Sequence, residues 1–433
     1  MVLQITEDNR QTASALFTAD GFDELTPRPA FDYRHYELNL KEASLRLALL
    51  IEGMTKVADK TGRFVYQLPD GRVIDTCTYH RWEWPQAIGM NGLFDYYDLR
   101  SSSDPSDASA AYILGLMKDW YQQRVEEGIP TKNINSMAVM YSVACLLDSD
   151  RKRGKGSVLD DEWRERFEGW VDEWAEWIMN ELPRTPQGGF QHVTFRLANE
   201  GQLWDDTLMM TVIPLTKIAK FQFLLHTQYL MDEVSGLWYH AWRFDNEAGT
   251  SGTHSSDALW ARGNCWVTLA IPMFIELTEL SPSDPVHRML VSTLRRQVDT
   301  LAPLQDPATG LWHTLVDDST SYVETSGSAG FAGGILMAIR LGLLERAKYL
   351  DVATSALNAC LAQVTPSGQV GNVSKGTPAG KDREFYKGIP RMGMVYGNSL
   401  LIVALVQWMR ITQGEVDEFF AGIDAEEQRS KLE

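Results

Sequence analysis

One short cassette, a glycine followed by aromatic or small residues in strand-like alternation, recurs between long amphipathic stretches and limits the fold more than any other feature of the chain. It reads Lys60-Thr-Gly-Arg-Phe-Val-Tyr66, Pro186-Gln-Gly-Gly-Phe-Gln-His192, Val234-Ser-Gly-Leu-Trp-Tyr-His240, Ala308-Thr-Gly-Leu-Trp-His313 and Pro366-Ser-Gly-Gln-Val-Gly371, with a looser copy at Glu127-Gly-Ile-Pro130. The glycines at 62, 128, 189, 236, 310 and 368 are 66, 61, 47, 74 and 58 residues apart. Each interval holds two helices of about 11 to 16 residues with their connections. The segments between cassettes support this, since apolar residues return at helical spacing, as in Trp163, Phe167, Trp170, Trp174, Trp177 and Ile178. Helices are expected over Asp107 to Glu127, Asp160 to Leu182, Thr207 to Met231 and Ala261 to Leu280, among others. A repeat at this period points to one all-α architecture, an (α/α)6 barrel of six hairpins closed into a toroid with short strand-like connecting loops. An open solenoid is the alternative, but solenoid repeats are shorter and more uniform. No linker interrupts the pattern, so residues 1–433 are read as a single domain, with less ordered segments at about 1–30 and 414–433.

Composition narrows the partners. A formal net charge of -18 argues against nucleic acid or an anionic membrane, because both need clustered Lys and Arg. An anionic small substrate then requires a local group of Arg, His or aromatic residues. No run approaches the roughly 20 apolar residues of a membrane span, and the N-terminus lacks the basic and apolar regions of a signal peptide. Cys77, Cys145, Cys265 and Cys360 are widely separated, without paired CxxC spacing, which argues against zinc or a disulfide framework. The expectation is a cytoplasmic protein, a monomer or weak homodimer, unless a leader has been removed.

Three clusters carry candidate chemistry. Trp204-Asp-Asp-Thr207 sets two carboxylates beside an indole at the start of an apolar helix. A carboxyl held against aromatic surface loses solvation of its charged form and can act as a general acid near neutral pH, which makes Asp206 the first catalytic candidate. Both aspartates equally suit helix capping. Around Trp84, Gln86 and Asn91, an indole and two amides suit the stacking and hydroxyl reading that a saccharide requires. Arg262 and Trp266 lie four apart, so on a helix they share a face and could receive a carboxylate, or form a structural cation-π pair. His192, His240 and His313 fall at like places in three cassettes, and loops that converge on one barrel end could bring His192 and His240 to the pocket. Their wide spacing lacks the short ligand intervals of metal sites, so no metal is expected. No G-x-S-x-G, P-loop or dinucleotide fingerprint is present, and no cofactor is expected.

Trp204-x-Asp206 followed by Thr-Leu-Met-Met210, Trp260-Ala-Arg262-Gly-Asn-x-Trp266, Gly188-Gly-Phe-x-His192, Tyr239-His240-Ala-Trp242, Glu324-Thr-Ser-Gly-Ser-Ala-Gly-Phe-Ala-Gly-Gly-Ile335 and Tyr396-Gly-Asn398 together resemble glycoside hydrolase family 105. These are the unsaturated rhamnogalacturonyl hydrolases and their relatives, neighbours of the unsaturated glucuronyl hydrolases of family 88. The resemblance implies an (α/α)6 barrel, Asp206 as general acid and base, and Trp204, His192, His240, Arg262 and Trp266 around a uronate subsite. It also implies a second acidic residue before an inner helix. The matching stretch Lys132-Asn-Ile-Asn-Ser136 has no Asp, so Asn135 or Asn133 takes that place. The implied reaction removes a 4,5-unsaturated uronic acid from the nonreducing end of lyase-generated oligosaccharides by hydrating the C4=C5 bond. One residue can then serve both proton transfers. The alternatives are an ordinary inverting glycosidase, pairing Asp205 or Asp206 with a distant carboxylate such as Glu324, and a nonenzymatic carbohydrate-binding protein.

Overall fold

The computed structural model describes residues 3, 5, 10, 11, 33, 34 and 36–430, except 60, 61, 63, 68–70, 72 and 214. The N-terminal segment expected to be less ordered, at about 1–30, lies almost wholly outside the described residues. At the other end the last helix runs to Ser430.

Helices alternate between two kinds. One kind comprises α1 (Leu40–Lys56), α3 (Ala108–Glu127), α6 (Asp161–Asn180), α7 (Thr216–Leu230), α9 (Pro285–Leu301) and α11 (Arg346–Leu361), amphipathic helices that keep an exposed face, except that α1 is buried all round over 45–51. The other kind is buried nearly all round: α2 (Trp84–Ser103), the pair α4 (Ile134–Met137) and α5 (Met140–Arg153), a π-helical turn at Leu208–Val212, α8 (Ala261–Leu277), α10 (Thr325–Arg340) and, over residues 395–409, α13 (Val395–Ser430). Members of the second kind touch in sequence order, and α13 returns to pack on α2, so they form a closed inner ring with the amphipathic helices outside. A helix surrounded by protein needs no polar face, which is why α2 carries little periodicity in its sequence.

Close approach within the ring explains the glycine-rich sequence of α10. A Cβ on Gly330 would stand 2.4 Å from Cys265 Sγ of α8, and one on Gly334 2.5 Å from the Thr268 carbonyl. The outer helix α6 packs Phe167, Trp170 and Trp174 inward, where Trp82 stacks on Trp174 at 6.3 Å and meets Trp170 edge-on at 5.1 Å. The stretch 207–231, expected as one helix, is divided between the inner π-turn and the outer α7. The sequence has a proline at position 214, and proline cannot donate the backbone N–H that a continuous helix would need.

Every cassette links an outer helix to the next inner one, so all six lie at the end of the ring where the inner helices begin. Short antiparallel strands form there: β1 (Val65–Gln67) with β2 (Val73–Asp75), β3 (Gln202–Trp204) with β4 (Ala241–Phe244) and β5 (Gly252–His254), β6 (Trp312–His313) with β7 (Val323–Glu324), and β8 (Val373–Ser374) with β9 (Arg391–Met392). A last short helix, α12 (Arg383–Lys387), stands between β8 and β9. Four cassettes are fixed in the same way. The amide N–H two residues beyond the turn glycine donates to a side chain of a neighbouring helix: Phe190 to Gln222, Trp238 to Asn264, Trp312 to Ser328 and Val370 to Asn398. In the second cassette the turn glycine is Gly188, with φ 82°, rather than Gly189. Gly189 instead meets Leu203, where a Cβ would come within 2.3 Å.

Candidate active site

The N-terminal ends of the inner helices surround a cavity of about 310 Å³. Asp206, Asn135, Trp84, Gln86, His192, Trp204 and Arg262 all line it, although they come from five different stretches of the sequence. Asn133 is the N-cap of α4, its side chain accepting from the Asn135 and Ser136 amides, so Asn135 is the one of the two that faces the cavity. Asn91 does not line the cavity. It lies five residues further along α2 than Gln86, about 7.5 Å deeper at 1.5 Å per residue, with its Oδ1 buried and unpartnered.

Asp206 sits between two imidazoles because of backbone register. The Asp205 N–H donates to the His240 carbonyl at 3.1 Å, just as Ala261 donates to Thr314 and Thr325 to Asn372 at the heads of the next two inner helices. This register, together with the β3–β4 pairing of Trp204 with Ala241, brings His240 Nε2 to 3.1 Å from Asp206 Oδ2. The two atoms are thus in close polar contact. His240 Nδ1 is held at 2.8 Å by the Tyr386 hydroxyl. On the other side His192 stacks on Trp204, centroids 4.2 Å apart and planes 2° from parallel, with Nδ1 2.8 Å from Thr207 Oγ1. Burial lowers the His192 pKa to about 3, so this ring is neutral and acts as a hydrogen-bonding surface.

The two aspartates divide the electrostatic load differently from the sequence expectation. Burial was expected to raise the pKa of Asp206. The structure puts that effect on Asp205, which is fully buried and raised well above the usual carboxylate range by burial and then by the charge of Asp206. Burial also opposes ionisation of Asp206, but the hydrogen-bonding capacity and charge of His240 outweigh it and hold Asp206 below its ordinary value. The free site therefore carries its proton on Asp205 and its negative charge on Asp206. Asp205 Oδ2 faces Gly263 so closely that a Cβ there would come within 2.4 Å. Asp205, Asp206 and His240 offer ligand atoms within 4.8 Å of one another, the one such grouping among the described residues.

Arg262 departs from its expected pairing. Its side chain turns back towards the start of α8, where the guanidinium lies 4.6 Å from Trp260 and 4.8 Å from Tyr396. Trp266, one helical turn deeper, is fully buried, packs edge-on to Trp84 at 5.5 Å and does not line the cavity. Both terminal nitrogens of Arg262 are engaged: Nη1 with Ser326 Oγ and with the carbonyl and hydroxyl of Ser374, Nη2 with the Lys375 carbonyl and Thr377 Oγ1. The guanidinium thus fastens the segment 374–377 over the cavity.

His313 is not equivalent to His192 and His240. They stand two residues beyond the anchored amides of Phe190 and Trp238, whereas His313 stands one beyond Trp312. A slip of one residue in an extended segment turns the side chain to the opposite face, and His313 accordingly meets Asp306 and the Ser321 carbonyl away from the cavity. Thr314 occupies the equivalent position. Glu324, the distant carboxylate of the inverting alternative, is 1 % exposed and caps α10. It accepts from the Ser326 amide and hydroxyl, the Gly327 amide and the Ser374 amide. It does not line the cavity, whose other carboxyl is Glu83, the N-cap of α2. Tyr386 was missed by sequence reasoning, and Tyr396 was read only as part of a family motif, with no role given to its side chain. Tyr386 lies within the short helix α12 and Tyr396 in the first turn of α13, and only the fold brings them to His240 and Arg262.

The family model described as Glycosyl Hydrolase Family 88 matches residues 56–412. The unsaturated rhamnogalacturonyl hydrolase YesR of Bacillus subtilis is 30% identical over 354 residues, which span 78% of this chain and 90% of YesR. The solved structure of a possible member of the GH105 family from Klebsiella pneumoniae is 36% identical, with a TM-score of 0.77 over 89% of this chain and 96% of that one. An unsaturated glucuronyl hydrolase specific for heparin, at 14% identity, shares the fold with a TM-score of 0.61 over 86% of this chain and 97% of its own. The family match, the similarity to YesR and the resemblance carried by the Trp204, His192 and Trp260 motifs agree: the chain belongs to the glycosyl hydrolases of families 88 and 105.

Proposed function

We propose that this glycoside hydrolase removes a 4,5-unsaturated uronic acid from the nonreducing end of lyase-generated oligosaccharides by hydrating the C4=C5 bond. The observation that carries this reading is Asp206, set among His240, His192 and Trp204, while the cavity's other carboxyl, Glu83, caps α2 and is pushed by burial to about 7, and Glu324 caps α10. Ordinary glycosidic hydrolysis needs two carboxyl groups flanking the scissile bond. Hydration needs one group that first gives a proton and then takes one.

Asp206 is ionised in the free site, and the uronate carboxylate entering beside it opposes that charge and favours the protonated acid. Protonated Asp206 then delivers its proton to C4. Positive charge develops at C5 and the ring oxygen, water adds at C5, and the Asp206 carboxylate takes the water's proton. The resulting hemiketal opens and the sugar is released. Trp204 and Trp84 supply apolar faces for the ring, and Gln86 and Asn135 supply amides for its hydroxyls. Trp266, beneath Trp84, supports that face from below. Arg262 acts through its charge and by holding the segment 374–377. We further read residues 1–433 as one domain working as a monomer or weak homodimer in the cytoplasm, a compartment that suits four cysteines all free and buried.

Incubation with an unsaturated uronyl disaccharide tests the reading. Absorbance of the conjugated double bond is expected to disappear as the second sugar appears, with full activity kept after exhaustive chelation. Sugar release from a saturated analogue at a comparable rate, with the double bond irrelevant, would contradict it and bring Glu83 forward as the partner of Asp206.

A further inference from the structure

Asp and Glu outnumber Lys and Arg 58 to 40 in this chain. Yet of the four cations that line the cavity, three, Arg81, Arg196 and Lys375, form no ion pair among the described residues. Each rests instead on an aromatic ring that also lines the cavity. Arg196 lies 4.0 Å from the Tyr66 centroid, Arg81 4.7 Å from Phe195, and Lys375 Nζ 4.8 Å from Phe64. Arg196 is also 5.5 Å from Phe195, so two guanidinium groups flank one ring.

The arrangement leaves like charges together with no ion-pair partner in contact among the described residues. Burial lowers the pKa of Arg81, the charge of Glu83 opposes that effect, and the nearby charge of Arg196 adds to it. Glu83 is itself pushed by burial to about 7, so near neutral pH it neutralises Arg81 only in part. Asp75 also acts on Arg81 at longer range. A guanidinium stacked by its face keeps its edge N–H groups free for planar, bidentate acceptors. A concave wall with such donors concentrates anions even when the whole molecule repels them. One uronate carboxylate bound beside Asp206 does not require all three cations.

We propose that Arg81, Arg196 and Lys375, on their platforms Phe195, Tyr66 and Phe64, form a second subsite that recognises a further anionic group, a sulfate ester or a second carboxylate, on the sugars beyond the unsaturated uronate. The inference rests on the proposed activity and adds a substrate requirement to it: the preferred oligosaccharide is at least doubly anionic.

Three unsaturated substrates test it: a disaccharide with a neutral second sugar, the same disaccharide carrying a sulfate ester on that sugar, and a trisaccharide with a second uronate. The wild-type kcat/KM is expected to favour one of the charged substrates over the neutral one by about tenfold or more, the worth of a charge-assisted hydrogen bond. Which one is favoured tells sulfate from carboxylate. Arg196→Ala, at an exposed position, and Arg81→Ala are each expected to bring the charged-to-neutral ratio down towards one. Equal wild-type rates on all three substrates would overturn the subsite while leaving the activity in place. So would variants that lose the neutral and charged substrates in equal proportion. Failure of the wild type to consume any of the three would overturn the activity and the subsite together.

Discussion

Asp206 and Asp205 are neighbours in sequence, yet the fold gives them opposite states, and the proposed chemistry rests on this difference. Asp206→Asn keeps the shape and loses the proton, so kcat is expected to fall by about 10² to 10⁴, the usual worth of a general acid-base group, with the melting temperature little changed. Retention of more than a tenth of wild-type kcat would remove Asp206 from the role. Gly263 tests the other half of the pair. A methyl group there would press on Asp205 Oδ2, so Gly263→Ala is expected to destabilise by about 1 to 3 kcal/mol, as overpacking does, and to reduce kcat by moving Asp206. A variant with wild-type thermal unfolding and turnover would show that Asp205 has room to retreat. The placement of Asp206, His192, Trp204 and Arg262 at one cavity was legible in sequence because chemistry-bearing residue types stood in motifs. The protonation pattern was not legible. It depends on His240, which the β3–β4 register brings from 34 residues away.

At the scale of elements, the repeated cassette was the most legible feature, and its recurrence gave the six hairpins. Their anchoring was hidden, because it uses side chains of neighbouring helices that no local pattern marks. Asn264 shows the consequence. Its side chain accepts from the Trp238 amide at 2.7 Å and donates to the Trp238 and Trp260 carbonyls at 2.8 and 3.0 Å. Asn264→Ala leaves that buried amide unpaired, at a cost of about 1 to 3 kcal/mol. Because His240 is two residues beyond Trp238, kcat is expected to fall as well. Chemical denaturation and steady-state kinetics on the same variant check both effects, and lost stability with unaltered kcat would show that the cassette anchors the fold alone. The His313 discrepancy belongs at this scale. Counting from the glycine suggested three like histidines, but counting from the anchored amide separates one of them. Helix α2 carries little helical periodicity in its sequence, since an inner helix of a ring has no solvent face to write into it.

Across the whole molecule, buried titratable groups make stability depend on pH from both sides. His192 and His226 are fully buried, with pKa values lowered by burial to about 3 and about 4 against 6.5 for a free histidine. The unfolded chain therefore binds more protons than the folded one below about pH 6.5. Stability is lost as pH falls through that value, by up to about 1.4 kcal/mol per pH unit for each group. Asp205 acts in the opposite sense. Its raised pKa means the folded state holds a proton that the unfolded state releases above about pH 4, so this group's contribution declines as pH rises. His226→Gln is expected to flatten the acid side of the stability profile, and Asp205→Asn the alkaline side. Equilibrium unfolding between pH 4 and 8 checks both, and parallel profiles for wild type and His226→Gln would contradict the assignment of that histidine.

The central claim is that one carboxylate, Asp206, hydrates a double bond. Its most direct test is the fate of the proton. With the reaction run in D2O and the product followed early by NMR, one deuterium is expected at C4 of the former uronate, delivered from a single face, as the C4=C5 signals vanish in step with release of the second sugar. With Asp206→Asn, neither change is expected on the same timescale. Release of a uronate that still carries its C4=C5 bond and no deuterium at C4 would contradict the account.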